Sequence, residues 1–420
     1  MNRTMDNVQT ILLKLFDGIC FIEKQEYYTL IQKVEFMIRA HVIKLYPTKE
    51  QEILLNKTAG ACRFAWNQAL SYWDKQYKLH CENSEIKKPT TFAVAKWYMD
   101  NREEWSKEIA YSCQRQAILR LGTAFINYFK RPDAFKHPKF HKKGYDDSFD
   151  VNNDLLRFIH GRVSIPRIGR VKIAEELRFK GKICGYVVKK EAGDWFLIAT
   201  VDTAEDVRSA CVDPSSVVGV DVGLQHPAVA SDGTVLELPT EKLDKLEQKI
   251  KRYQKALSRS QRNSKRSYKT LIKKQKTQQK INNIRKDAVH KFTTAVSKNH
   301  GIVVIEDLDV KGMIEKAPAK AVRRAYNKSL MDLIHFQLSY KCQRLVKANR
   351  YYPSSKLCSH CGHKKEDLKI TDRVYICEAC GMSLDRDLNA ALNLMHYEDS
   401  IRPGADSPVV LTEKLVNQLR

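Results

Sequence analysis

Residues 217–233 read VVGVDVGLQHPAVASDG. The run from Val217 to Val222 predicts a strand, and it carries one acid, Asp221, between Val220 and Val222. Further on, Asp232-Gly233 is a strong hairpin-turn pair, so the segments flanking it read as the second and third strands of a meander over 217–238. An acid on a central strand is most often a cap or a solvated residue. Its neighbours along the chain decide whether it is more than that.

C-terminal to this meander, residues 239–298 predict two helices. Leu246, Ile250, Tyr253 and Leu257 fall on one face of the first. Ser258 to Ser267 predicts the turn, and the second helix runs past His290. Lysine and arginine dominate 241–291 away from the apolar stripe. Lys249, Arg252, Lys273 and Lys274 lack the acidic i,i+4 partners that solvated helices carry, so they are candidate contacts to a phosphate backbone. Gly301 to Ile305 predicts another strand, which closes on Glu306-Asp307. A helix is expected over about 321–346, and a last one from near Asp387, with Leu388, Ala391, Leu392 and Met395 on one face. Two strand acids and a helix acid, from segments far apart in the chain, suit one task. Two-metal hydrolysis of a phosphodiester needs carboxylates that converge around ions ~4 Å apart. Asp221, Glu306 and Asp387 supply them in the RNase H-like manner.

Between the last two helices lies the sharpest spacing. Cys358-x2-Cys361, fifteen intervening residues, then Cys377-x2-Cys380 is zinc-ribbon spacing. Each CxxC turn aims two thiolates at one point, and Gly362 and Gly381 relieve the tight turns after the two knuckles. A closed four-thiolate shell leaves no position for substrate, so one structural Zn2+ is expected.

Towards the N-terminus, MIRAHVIKLYPTKEQ from Met37 reads as a strand with Ile38, Ala40, Val42 and Tyr46 alternating. Thr48 is the expected cap of a helix with Glu50 and Glu52 in its first turn. That helix carries Ile53, Leu54, Ala59 and Cys62. Further helices are expected near 91–107 and 109–130, the second stopped by Pro132. From 131 to 205, short alternating runs broken by glycine predict a small barrel or twisted sheet. Near Ala110, Tyr111, Gln114 and Arg115 stand in the first turns of a helix, and Gln and Arg are natural readers of base edges.

The 420 residues include 73 Lys+Arg against 49 Asp+Glu, a net charge of +24. That balance points to a polyanionic partner, and nucleic acid is the usual one. Apart from the two CxxC pairs, the eleven cysteines are scattered singly, which reads as a reducing cytosol and not as a disulfide framework. The most apolar N-terminal stretch, 8–22, contains Lys14 and Asp17 and is too short to span a bilayer. No membrane partner and a cytoplasmic, nucleoid-associated location are expected.

VVGVDVGLQHPAVASDG, VVIEDLDVKGM, YYPSSKLCSHCG and CGMSLDRDLNAALNL resemble, in this order, the signature segments of the TnpB family. MIRAHVIKLYPTKEQEILLNKTAGACRFAWNQAL resembles that family's usual start, and the likeness covers about 37–397. The family is also similar to the compact type V CRISPR effectors. The resemblance implies an α+β multidomain protein of prokaryotic or phage type. Its parts would be a helical recognition domain over 49–130 and a wedge-like β-barrel over 37–48 and 131–210. An RNase H-like (RuvC) nuclease domain would cover 211–349 and 382–400, with a four-cysteine zinc ribbon inserted at 350–381. Residues 1–36 would be an N-terminal extension and 401–420 a flexible tail. The implied activity is RNA-guided, Mg2+-dependent cutting of DNA beside a short transposon-adjacent motif. The implied partners are a transposon-derived guide RNA with double-stranded and displaced single-stranded DNA. Asp221, Glu306 and Asp387 would hold two Mg2+, with Asp307 and Asp385 as neighbours. The adjacent-motif reader would lie near Tyr111, Gln114 and Arg115. One departure is the link 340–353, shorter than the family's helix-turn-strand and without its glycine; it bears on whether Asp387 reaches Asp221. A nuclease-inactive RNA-guided repressor on this scaffold, or a DNA transposase, are the alternative readings.

Overall fold

We describe a computed structural model of the chain over residues 38–400, apart from 145–146, 204–210, 225, 263 and 370–371. The expected extension at 1–36 and tail at 401–420 lie outside the described residues. The chain divides into two compact units near residue 205.

In the first unit, strand β1 (Ile38–Tyr46) leads into the 34-residue helix α1 (Lys49–Glu82). Thr48 closes a capping box: its hydroxyl accepts the Gln51 N–H, and the Gln51 side chain accepts the Thr48 N–H. Helix α2 (Thr91–Asp100) is shorter than expected. The chain leaves it at Asn101 and makes a separate 3-10 turn, Glu104–Glu108, before α3 (Tyr111–Lys130). These helices share an aromatic core in which Trp73 stacks on Phe125 at 4.4 Å.

Six further strands follow: β2 (Ser148–Val151), β3 (Arg157–Ile159), β4 (Arg162–Ile165), β5 (Gly169–Ile173), β6 (Lys182–Glu191) and β7 (Asp194–Asp202). They join β1 in one sheet of order β2-β6-β7-β1-β5-β4-β3. The end strands β2 and β3 do not pair in a ladder, so of the two expected forms, a small barrel or a twisted sheet, the chain takes the open one. It nevertheless curls far enough to bring Phe158 of β3 within 6.2 Å of Tyr186 of β6. One core of Ile43, Leu45, Phe149, Val163 and Trp195 fills the concavity. Only one face of β1 enters that core. It is the face of His41, Ile43 and Leu45, whereas Val42 and Tyr46 are exposed. The alternation expected from Ile38 and Val42 is thus out of phase by one residue, which in a strand exchanges the two faces completely.

The second unit is built on a four-stranded sheet, with Arg344–Ala348, His300–Glu306, Asp213–Asp221 and Val229–Ala230 side by side in that order. Strands β8 (Asp213–Asp221), β10 (His300–Glu306) and β11 (Arg344–Ala348) are parallel, and the two-residue β9 (Val229–Ala230) is antiparallel to β8. The expected third strand of the meander is reduced to a single bridge between Val229 and Val235. The basic segment forms two helices, α4 (Thr240–Ser258) and α5 (Lys265–Asn299), held at their base by Leu243, Leu246, Ile250 and Ile281. The expected helix over 321–346 is instead three elements after a short α6 (Val310–Glu315): α7 (Lys320–Lys328), α8 (Met331–Lys341) and β11. Ser329 and Cys342 adopt extended backbone and end the two helices, and Arg344–Ala348 then pairs along β10. The short 340–353 link therefore still contains a helix end, a turn and a full strand. No helix among the described residues is long and apolar enough to cross a membrane.

Period-2 alternation sorts this sheet into two faces. Val218, Val220, Val303 and Ile305 pack against α5 and α8 through Val289, Phe292, Ile334 and Leu338. Val217, Ile302 and Val304 point the other way, onto the last helix, α9 (Arg386–Ser400), through Leu394 and Tyr397. Gly219 belongs to this second face. A Cβ there would stand 2.0 Å from the Ala391 carbonyl oxygen and 2.5 Å from the Met395 nitrogen. Only glycine allows the backbone of α9 to lie directly on β8.

Candidate active site and metal centre

The same alternation carries the three acids. Asp221 lies two residues beyond Gly219 and Glu306 two beyond Val304, so both face α9. Each stands one position past the Ile305–Val220 pairing, at the carboxyl ends of adjacent parallel strands, where open α/β sheets bind ligands. Asp387 is in the first turn of α9, the helix that Gly219 admits.

Asp221 is held well above the usual carboxylate range. Burial is the largest cause, and the charges of Glu306 and then Asp387 add to it; Arg386 and the Val222 N–H pull the other way less strongly. Three carboxylates that repel one another, in a half-buried setting, form a site with negative charge to spare. Their oxygens do not all lie within 4.8 Å of one another; among the described residues only the four cysteines cluster that tightly.

The flanking acids are engaged elsewhere. Asp385 ends the short strand β13 (Ser383–Asp385), and its Oδ1 accepts the N–H groups of Asp387 and Leu388, both at 3.0 Å. It caps α9. Asp307 pairs with Lys347 at 3.4 Å and Arg350 at 3.5 Å. Glu306 has a different partner: the buried Ser354 hydroxyl donates to its Oε1 at 2.5 Å. Ser354 was not identified from sequence, nor were Asn389 and Asn393, both buried on α9. Their i,i+4 spacing within DRDLNAALN was the available signal, because two asparagines on an otherwise apolar helix face must find partners.

The cysteines form two matching knuckles. Gly362 N–H bonds the Cys358 carbonyl and Gly381 N–H the Cys377 carbonyl, with the glycines at φ +75° and +74°. The hairpin of β12 (Val374–Ile376) with β13 and the fully buried Tyr375 support them. Sulfur–sulfur distances of 3.7 Å for Cys358–Cys380 and 3.5 Å for Cys361–Cys377 are close to the edge of a tetrahedron with Zn–S bonds of about 2.3 Å. Burial pushes the Cys358 thiol up to about 12. For Cys377 burial acts in the same direction, but the N–H groups of Cys380 and Ala379 and the thiols of Cys361 and Cys380 together outweigh it and draw the thiol down to about 6. Four thiols poised around one point in this way suit a soft cation.

The expected base readers separate. Tyr111 is exposed, but Gln114 is fully buried: its amide accepts from Tyr98 Oη at 2.9 Å and donates to the Ser106 carbonyl at 2.9 Å. This corrects the expectation for Gln114, which braces α3 against α2 and the 3-10 turn. Arg115, one residue on, is half-buried. On the basic helices, Lys249, Arg252 and Lys273 are exposed and Lys274 half-buried, and none of the four has an ion-pair partner among the described residues.

Fold and sites together define a mixed α/β protein with an acidic centre at the carboxyl edge of a sheet and a four-cysteine cluster of a size that could hold a metal ion. Comparison with known proteins finds relatives over most of the chain. A family model described as "Probable transposase" matches residues 200–317, and one described as "Cas12f1-like, TNB domain" matches 333–394. One described as "Helix-turn-helix domain" matches 37–81, although residues 38–81 form β1 and the unbroken α1. The "Putative RNA-guided DNA endonuclease InsQ" of Escherichia coli is 30% identical over 85% of this chain and 92% of its own. A "Putative RNA-guided DNA endonuclease" of Streptomyces pristinaespiralis is 26% identical over 88% and 93%. The "TnpB-like protein L770" of Acanthamoeba polyphaga mimivirus is 29% identical over 85% and 73%. The chain belongs to the TnpB family of transposon-encoded proteins.

Proposed function

We propose that this chain is an RNA-guided DNA endonuclease that cuts beside a short transposon-adjacent motif. The observation that carries the reading is the convergence of Asp221, Glu306 and Asp387 on one sheet edge, with Asp221 pushed up by burial and by the other two charges. Such a cluster is stable as three anions only around cations, and hard carboxylate oxygens suit Mg2+. The three acids would hold two Mg2+. The chemistry supplied there is Lewis acidity, which activates an attacking water and offsets charge on the departing 3′ oxygen. Asp385 positions the first turn of α9, and Asp307 stays neutralised by Lys347 and Arg350. Cys358, Cys361, Cys377 and Cys380 would hold one structural Zn2+.

In this reading the sheet of the second unit is the RNase H-like (RuvC) nuclease domain, with the zinc ribbon inserted before α9. The helices over 49–130 are the recognition domain and the curled sheet is the wedge. Lys249, Arg252, Lys273 and Lys274 contact nucleic-acid backbone. The partners are a transposon-derived guide RNA and the DNA duplex that it opens, with sequence read by base pairing and only the adjacent motif read by protein. Co-expression with the flanking transposon region, followed by sequencing of the RNA that stays bound, tests the reading. A single RNA species of defined ends is expected; a mixture without sequence preference would refute guidance.

A further inference from the structure

A segment of eight residues, 352–359, links the acidic centre to the cysteine module, and most of its anchors come from two side chains of α9. Asn393 Nδ2 donates to the carbonyls of Ser354 and Leu357, both at 2.7 Å. Asn389 Nδ2 donates to the same Leu357 carbonyl at 2.7 Å, and its Oδ1 accepts the Ser359 N–H at 3.0 Å. Tyr352 returns a bond to the Asn393 carbonyl at 3.1 Å. At one end the segment presents the Ser354 hydroxyl to Glu306. At the other it becomes Cys358, whose N–H and carbonyl form the first knuckle. Ser354, Asn389 and Asn393 are all buried.

We propose that this segment is a positioning strap: the four-cysteine module, through Asn389, Asn393 and Ser354, fixes the rotamer of Glu306 for cation binding. The inference rests on the reading of Glu306 as a metal-binding acid. Its physical basis is that a ligand carboxylate has several rotamers and two oxygens. A donor on Oε1 selects one of each and leaves Oε2 for the cation. Ser354 cannot choose its own place, because its backbone is pinned by Asn393, which also pins Leu357 beside the zinc ligand. Loss of either anchor therefore loosens the carboxylate without removing it.

The test uses the full-length protein with its bound RNA, comparing Ser354→Ala, Asn393→Ala and the double variant with wild type. Mn2+ binding is followed by electron paramagnetic resonance, and the Asp221→Ala protein carrying the same RNA measures the RNA's own share. Ser354→Ala is expected to weaken Mn2+ binding and slow cutting by roughly 10–100-fold, with target binding and melting temperature unchanged. Because Asn393 acts on Glu306 through Ser354, the double variant should be no slower than Ser354→Ala alone. Ser354→Ala that matches wild type in Mn2+ affinity and rate overturns the proposal. So does a loss that follows melting temperature with Mn2+ affinity intact. A wild-type protein that binds Mn2+ at this site but does not cut, with Ser354→Ala weakening the binding, upholds the strap and fails the nuclease reading.

Discussion

Two aspartates stand two residues apart in DRDLNAALN, in different surroundings. Asp385 receives two backbone N–H groups at 3.0 Å as the cap of α9. Asp387 faces Asp221 closely enough to raise its pKa. Replacing Asp385 by alanine removes a cap, worth ~1 kcal/mol, or about 2–4 °C of melting temperature for a unit of this size. Asparagine keeps an acceptor oxygen and should restore most of that loss. Cutting should persist in both variants, because neither touches the acids at the sheet edge. On the proposed reading, replacing Asp387 removes a cation ligand. If several kcal/mol of transition-state stabilisation go with it, at 1.36 kcal/mol per decade the rate falls roughly a thousandfold or more. The Asp387→Ala protein should melt no lower than wild type, since one repulsive charge is gone. The assay is single-turnover cleavage of a guided target, paired with a thermal melt for each variant. Full cutting in Asp387→Ala together with its loss in Asp385→Asn would show that the roles have been assigned the wrong way round.

Cys358→Ser or Cys380→Ser should release one zinc per chain by elemental analysis, and wild-type protein without stoichiometric zinc would exclude the four-thiolate site. Gln114→Ala should lower stability by about 1–3 kcal/mol, because the Tyr98 hydroxyl loses its buried acceptor, whereas Arg115→Ala should relax the adjacent-motif preference at unchanged melting temperature; motif relaxation in Gln114→Ala alone would reverse this assignment. Neutralising Lys249, Arg252, Lys273 and Lys274 together should flatten the salt dependence of nucleic-acid binding by roughly 0.7–0.9 per lost phosphate contact, and an unchanged slope would make the hairpin a solvated face. Lys341 is buried among His290, Thr293, Thr294 and Gln337, and loss of hydration lowers its pKa from 10.5 to about 8. The unfolded chain therefore holds this proton up to about pH 10.5 while the folded one releases it near 8, so stability gains as pH rises through that window; the melting-temperature difference between Lys341→Met and wild type should shift in favour of wild type from pH 7 to 10, and a constant difference would refute the shifted pKa.

Sequence made the second unit more legible than the first, for reasons of chemistry. The cysteine spacing, the acids at strand ends and the apolar stripe of α4 are local patterns whose function depends on few neighbours. The phase of β1 was not legible: Val42 and Tyr46 looked like core, and only pairing with β5 and β7 sets which face is covered. Gln114 was misread for a related reason. A glutamine in the first turn of a helix reads as exposed until Tyr98 and the Ser106 carbonyl fold over it. The helix expected over 321–346 hid β11, because RLVKA is too short to announce itself before β10 is present to pair with it. Gly219 was visible in GVDVG, but the need for it arises only when α9, some 170 residues later, lies on its Cα.

On the proposed reading, Asp221, Glu306 and Asp387 form a single cation-dependent cutting centre, separate from the parts that find the target. The most direct measurement is cleavage of a DNA duplex bearing the guide-matched sequence and the adjacent motif, with wild type and the three single alanine variants side by side. Target binding is measured in the same samples. Wild type is expected to cut with Mg2+, to be arrested by chelation, to be supported by Mn2+ and to leave 5′-phosphate and 3′-hydroxyl ends. None of Asp221→Ala, Glu306→Ala and Asp387→Ala should cut, and guided binding should stay intact in all three. Guided binding by wild type without any cutting, or undiminished cutting by one of the three variants, would contradict that reading.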